Sequence, residues 1–200
     1  MQTKPAFSST PIHDILRNRW SPRSFDADKA VDHQTLTALL EAARWAPSCF
    51  NDQPWRFLVC NKATHASAWD KLLDTLGEKN RLWAKNAPVL ILTIAMDEFG
   101  HNGKINRWSS YDTGAAAVSL CLQATAMGLA AHQMGGFDAE QCKQIFALPE
   151  ACSPMAVIAV GYQAAAERLP DDLREIELKD RSRKPLNACF YFGDFNAGAE

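Results

Sequence analysis

Apolar positions along this chain fall into two rhythms, short continuous runs and helical repeats. Pro88-Val89-Leu90-Ile91-Leu92-Thr93-Ile94-Ala95 is rich in branched aliphatics with proline at its entry, which predicts a buried strand. Residues 55–60 predict a second buried strand and 154–162 a last core strand, while 130–133 predict a short one running into Gly135-Gly136. Helical spacing appears first after Thr10-Pro11, where a hydroxyl cap and a proline at the first helical position precede Ile12, Ile15 and Leu16. Asp32 opens another helix in which Leu36, Leu39, Leu40, Ala43 and Trp45 recur, and Pro47 ends it. Residues 66–76 and 81–85 read as surface helices, and Asp138 caps one that carries Cys142, Ile145 and Phe146. The segment 112–129 reads as one long helix with small residues at Gly114, Ala115, Ala116, Ala117 and Ser119. Its apolar surface all round predicts burial on every side, by a subunit contact as well as by the core.

Two hundred residues with 47% apolar content suffice for one sizeable core, and no Gly/Ser-rich or Pro-rich linker divides them. A single domain spanning 1–200 follows. A net charge of −2 without a long basic stripe argues against nucleic acid as a partner. The most hydrophobic stretch, 114–129, contains Ser119, Gln123 and Thr125 and falls short of the ~20 apolar residues of a membrane span. The polar start of the chain has no apolar signal region, and six cysteines without CxxC or zinc-type spacing read as reduced thiols; both point to the cytoplasm. Residues 167–184 alternate acidic and basic side chains and read as surface, and 187–195 form an aromatic tail that should pack on something, a partner chain included.

Against that neutral background two basic knots stand out, Arg17-Asn18-Arg19-Trp20-Ser21-Pro22-Arg23 near the start and Arg181-Ser182-Arg183-Lys184 near the end. Clusters so far apart make sense if they converge on one compact dianion, since guanidinium forks and a serine hydroxyl grip phosphate oxygens by charge-assisted hydrogen bonds. Arg17, Arg44 and Lys184 read as ordinary solvated charges. Cys49, after Pro47-Ser48, is the one cysteine placed for chemistry, but a nucleophile needs a base beside it and no partner histidine is evident. The five histidines are scattered and read as surface or hydrogen-bonded residues, with no triad order and no HExxH helix.

Four segments taken in order, 19–26, 43–57, 128–138 and 181–186, resemble the FMN-dependent nitroreductase family, and the resemblance spans nearly the whole chain. It implies an α+β nitroreductase-like fold, a central mixed but mostly antiparallel sheet flanked by helices, in an intertwined homodimer with FMN at the interface. By the same resemblance Arg19, Trp20, Ser21 and Arg23 form the N-terminal flavin segment, and Arg181 and Arg183 join Arg19 and Arg23 at the phosphate. Pro47, Ser48, Cys49 and Asn51 lie along the isoalloxazine ring, where the Asn51 amide both donates and accepts. Gln53 and Trp55 read as strand entry and packing. Met134, Gly135 and Gly136 match the loop whose backbone N–H reaches flavin N5, and two glycines let the main chain approach without a Cβ clash. Phe99 and Trp108 border the substrate channel. The chain departs from the family's pattern at Trp20, at Cys49 and at Gly135, where many relatives carry an acidic residue.

The activity so implied is FMN-dependent transfer of hydride from NADH or NADPH, by a ping-pong mechanism, to nitroaromatics, quinones or related conjugated acceptors. No side chain is expected to be catalytic, because flavin N5 carries the hydride. The lack of GxGxxG fits a donor that binds transiently over the flavin. A flavin-binding redox sensor or carrier is the alternative, with a Cys49 nucleophile enzyme third.

Overall fold

The computed structural model describes residues 3–195; residues 1–2 and 196–200, the ends of the expected 1–200 domain, lie outside the described residues. Strands β1 (Trp55–Asn61), β2 (Val89–Met96), β3 (Ala130–Met134) and β4 (Cys152–Gly161) form one antiparallel sheet in the order β1-β2-β4-β3. Around it lie α1 (Asp14–Asn18), α2 (His33–Arg44), α3 (Ala66–Asp74), α4 (Glu78–Ala84), α5 (Ser109–Ala126), α6 (Ala139–Ile145) and α7 (Asp171–Leu178). The architecture is α+β, as the sequence implied, and no helix among the described residues is long and apolar enough to cross a membrane.

The central strand β2 explains the longest apolar run. Leu90, Leu92 and Ile94 point into one core with Val157 and Ala159 of β4, while Val89 and Ile91 point into the other with Ile158 and Val160. Both faces are covered, so the period of two is filled on each side and the run reads as continuous. Trp69 and Leu72 of α3 and Trp83 of α4 close the first core; Leu36, Leu39 and Ala43 of α2 and Ala116, Leu120 and Ala124 of α5 close the second. The two helices expected at the surface therefore supply two of the largest core side chains. At the end of β4, a Cβ on Gly161 would stand 2.5 Å from Pro88 Cδ, so only glycine lets this strand pass the entry of β2.

Several expectations are corrected by packing. β1 is an edge strand, so Arg56 is exposed and residues 57–59 are only half-buried. α1 starts at Asp14 rather than Pro11, because the His13 ring accepts the Ile15 N–H at 3.3 Å and serves as its cap. α2 does start from Asp32, whose carboxylate accepts the Thr35 N–H at 2.8 Å, but Trp45 falls past its end and is 74% exposed. α5 buries one stripe and leaves Tyr111 and Val118 exposed, as is Met127 just past its end, so within a single chain it is not covered on every side. In the charged stretch expected at the surface, α7 buries Leu173 and Glu177. In the aromatic tail Phe190, Phe192 and Phe195 stay exposed, while the Tyr191 and Phe195 rings stack 4.4 Å apart.

Candidate functional site

After α1 the chain runs extended through Arg19–Phe25 across the end of the sheet. Phe25 bridges Gln163, the Asp26 N–H reaches the Tyr162 carbonyl at 2.9 Å, and the Ser24 hydroxyl donates to the Ala165 carbonyl at 2.6 Å. His132 of β3 bonds the Pro22 carbonyl through Nδ1 at 2.9 Å. The Arg23 N–H lies 3.0 Å from both carboxylate oxygens of Glu177, and the Ser24 N–H 3.3 Å from one of them. This backbone is thus fixed from the sheet and from α7, while the Arg19 guanidinium donates to the Ser21 hydroxyl at 3.3 Å.

The C-terminal arginines come back to the same place. Arg181 donates to the carbonyls of Lys4 and Arg17 at 2.7 and 2.9 Å, and Arg183 to that of Ser182 at 2.8 Å. Burial first, then the nearby charges of Arg19 and Arg183, push the Arg181 guanidinium below its ordinary pKa, which places three of the four predicted phosphate arginines in one another's fields. Arg19 and Arg23 both bear on His132, and Arg181 and Arg23 both on Lys4. Among the described residues none of the ion pairs uses Arg19, Arg23, Arg181 or Arg183; the arginines so paired are Arg44, Arg81, Arg168 and Arg174. These guanidiniums are free of ion pairs among the described residues, since the Glu177 carboxylate, in whose field Arg23 lies, bonds backbone N–H groups instead; such groups are available to an anion, and a terminal phosphate has the charge and the oxygens to meet them. The Trp20 ring lies under the Lys4 ammonium, 4.8 Å away, and lines a cavity of about 160 Å³ with Thr125, Leu129 and Gln163.

The loop expected beside the ring is built from strain. Phe50, Asn51 and Gln53 have φ of 54°, 55° and 52°, the left-handed region, although none is glycine. What holds them is a set of polar anchors. The buried Asp112 of α5 accepts the Cys49 N–H at 3.0 Å, the Ser48 hydroxyl accepts the Gln53 N–H at 3.0 Å, and Asp52 accepts the Gly100 N–H at 2.9 Å. Asp52 also has His101 Nδ1 at 3.6 Å, which ties the loop to the segment carrying Phe99 and Trp108. The Phe50 and Phe99 rings meet edge-on at 5.9 Å. Pro47 and Asn51 are exposed, and among the described residues the Asn51 side-chain amide has no hydrogen-bond partner.

Met134 ends β3 opposite Val157 and is buried in the core, so its side chain belongs to the packing. Nothing lies within 4 Å of the place where a Cβ on Gly135 would stand. Gly136 is crowded by α4: its carbonyl accepts the Gly77 N–H at 2.9 Å and the Asn80 amide at 3.1 Å, and a Cβ there would stand 3.0 Å from that amide. From Asp112, which holds the strained loop, to Cys121, whose buried thiol lies in the field of Arg19, α5 rises roughly 13 Å at about 1.5 Å per residue. The loop and Arg19 therefore bear on two separated places along one helix.

Comparison with known proteins settles the family. The nitroreductase family model matches residues 16–162. The chain belongs to the nitroreductase family. This nitroreductase is similar to a putative NADH dehydrogenase/NAD(P)H nitroreductase of Streptomyces coelicolor, 30% identical over 166 residues that cover 72% of this chain and 81% of that one. A crystal structure of an oxidoreductase containing FMN superposes with a TM-score of 0.91 at 36% identity, covering 98% of this chain and 99% of that one. A putative nitroreductase of Desulfovibrio desulfuricans, solved in complex with FMN, is 28% identical at a TM-score of 0.70, covering 94% and 99%.

Sequence reasoning did not reach the residues that hold these segments in place: Glu177, Asp112, Asp52 and the role of His132. Glu177 had one visible signal, its position four residues after Leu173 on the buried side of a helix.

Proposed function

We propose that this protein is an FMN-dependent NAD(P)H oxidoreductase that passes electrons, in a ping-pong sequence, to nitroaromatic, quinone or related conjugated acceptors. The observation that carries this reading is that Arg19, Arg23, Arg181 and Arg183 make no ion pair among the described residues, with Arg181 in the fields of Arg19 and Arg183. FMN when bound supplies the redox chemistry, accepting a hydride from the nicotinamide donor and returning it to the acceptor. The protein supplies attachment and orientation. The arginines and Ser21 hold the phosphate, Asn51 offers its free amide to the polar edge of the ring, and the open backbone at Gly135 serves as the donor toward N5. Exposed Phe50 and Trp108 offer flat apolar surface to a planar acceptor. The site is completed in a homodimer, to which α5 brings its exposed face, and six free thiols suit the cytoplasm.

An anaerobic visible spectrum of the purified protein, taken before and after NADH and then NADPH, tests the proposal. Flavin bands should bleach with a donor and recover on adding a quinone or nitroarene. Bands that persist with both donors would reject turnover and leave a flavin-binding sensor or carrier. A colourless protein that takes up no FMN would remove the phosphate reading itself.

A further inference from the structure

Glu177 is 1% exposed, and a buried carboxylate is expensive unless its oxygens are used. Burial pushes its carboxyl above the ordinary range, against the opposing pull of the Arg23 and Ser24 N–H groups and of the Arg23 and Lys4 charges. Its hydrogen bonds come from backbone rather than from a guanidinium: the Arg23 N–H at 3.0 Å to each oxygen and the Ser24 N–H at 3.3 Å. The Glu177 carbonyl meanwhile accepts the Lys4 ammonium at 2.7 Å. With His132 on the Pro22 carbonyl and the Ser24 hydroxyl on Ala165, three successive residues are each fixed by a partner distant in sequence. We propose that Glu177 is a positioning residue for the phosphate site: it anchors the Arg23–Ser24 backbone to α7, so that the Arg23 guanidinium is presented to a phosphate monoester while remaining unpaired.

Two physical consequences follow from that arrangement. Fixing the root of the Arg23 side chain lowers the entropy lost when the guanidinium meets the phosphate. A negative charge set among the cations also offsets part of their mutual repulsion, and because it bonds main chain it does not compete with the phosphate for the guanidinium forks.

The inference rests on the arginines binding phosphate, and the test separates the two claims. Flavin-depleted wild type, Glu177→Gln and Glu177→Asp are titrated with FMN and with riboflavin, which lacks the phosphate, following flavin fluorescence. The Gln variant removes the charge and leaves one acceptor oxygen. It should bind FMN at least tenfold more weakly with riboflavin affinity held within about twofold, and Glu177→Asp, which keeps the charge on a shorter arm, should lose less. Unchanged FMN affinity, or equal weakening toward both flavins, would overturn the positioning role. Should Glu177→Gln fail to fold, Glu177→Asp decides alone: a loss confined to FMN supports the role, and a loss toward both or neither rejects it. A wild type that binds riboflavin as tightly as FMN would reject the phosphate site, and this inference with it.

Discussion

His132 lies against Trp83, ring centroids 4.5 Å apart, with Nδ1 on the Pro22 carbonyl. A carbonyl only accepts, so Nδ1 carries a proton. Burial lowers its pKa to about 4, the charges of Arg23 and Arg19 push the same way, and the bonds to Pro22 and Ser21 resist. The unfolded chain takes up this proton near its ordinary 6.5 and the folded chain only near 4. The imidazole's contribution is therefore intact above about pH 6.5 and is lost as pH falls toward about 4, by up to about 3 kcal/mol. Glu177 titrates in the opposite sense, since its raised pKa favours folding at low pH and disfavours it as pH rises. The difference between wild type and His132→Gln isolates the histidine. Urea midpoints of the variant should fall less than those of wild type between neutral and acid pH, and parallel losses would show that the histidine is not the acid-sensitive group. The sequence marked His132 as hydrogen-bonded or exposed, but only the meeting of β3 with the segment after α1 shows what it holds.

At the scale of elements, the loop 47–53 shows most plainly what a sequence pattern misses. Pro47-Ser48 announced the end of α2, yet three left-handed residues without a glycine carry no local signature. Their anchor, Asp112, comes 63 positions later. Asp112→Ala leaves the Cys49 N–H without its acceptor, which should cost about 1–3 kcal/mol and release the loop. In a Cys189→Ser background, where the remaining cysteines other than Cys49 are buried, alkylation of Cys49 should then run faster than in the parent. An unchanged rate would mean that Ser48 and Asp52 suffice to hold the loop. β2, β4 and α2 were legible because their burial pattern is continuous or strictly periodic. β1 was misjudged because the same apolar residues serve an edge strand as well as a central one.

For the molecule as a whole, the unsettled surface is apolar. Tyr111 and Val118 along α5 and Met127 just past its end, together with Phe190, Phe192 and Phe195, leave aromatic and aliphatic area in water. Patches of this kind mark contact surfaces. Ala116 is fully buried in the chain's own core, so a charge there would disrupt the fold rather than report on dimerisation. Val118, 46% exposed on the outer side of the same helix, is the better probe. Val118→Glu should halve the mass measured by light scattering while the circular dichroism of the fold is retained. A dimer that persists would exclude this part of α5 from the contact.

The sequence by itself determined the main strands and helices and the residue types a phosphate needs, because these follow from periodicity and from the chemistry of arginine, while the fold class was legible through the resemblance of four ordered segments to a known family. Tertiary structure alone decided that Arg181 returns to the field of Arg19, and that a glutamate in a charged stretch is buried on the Arg23 and Ser24 backbone. It also decided that Asp112 pins a strained loop from another element. Those facts depend on which distant groups come into contact and lose their water, and no local pattern along the chain records that.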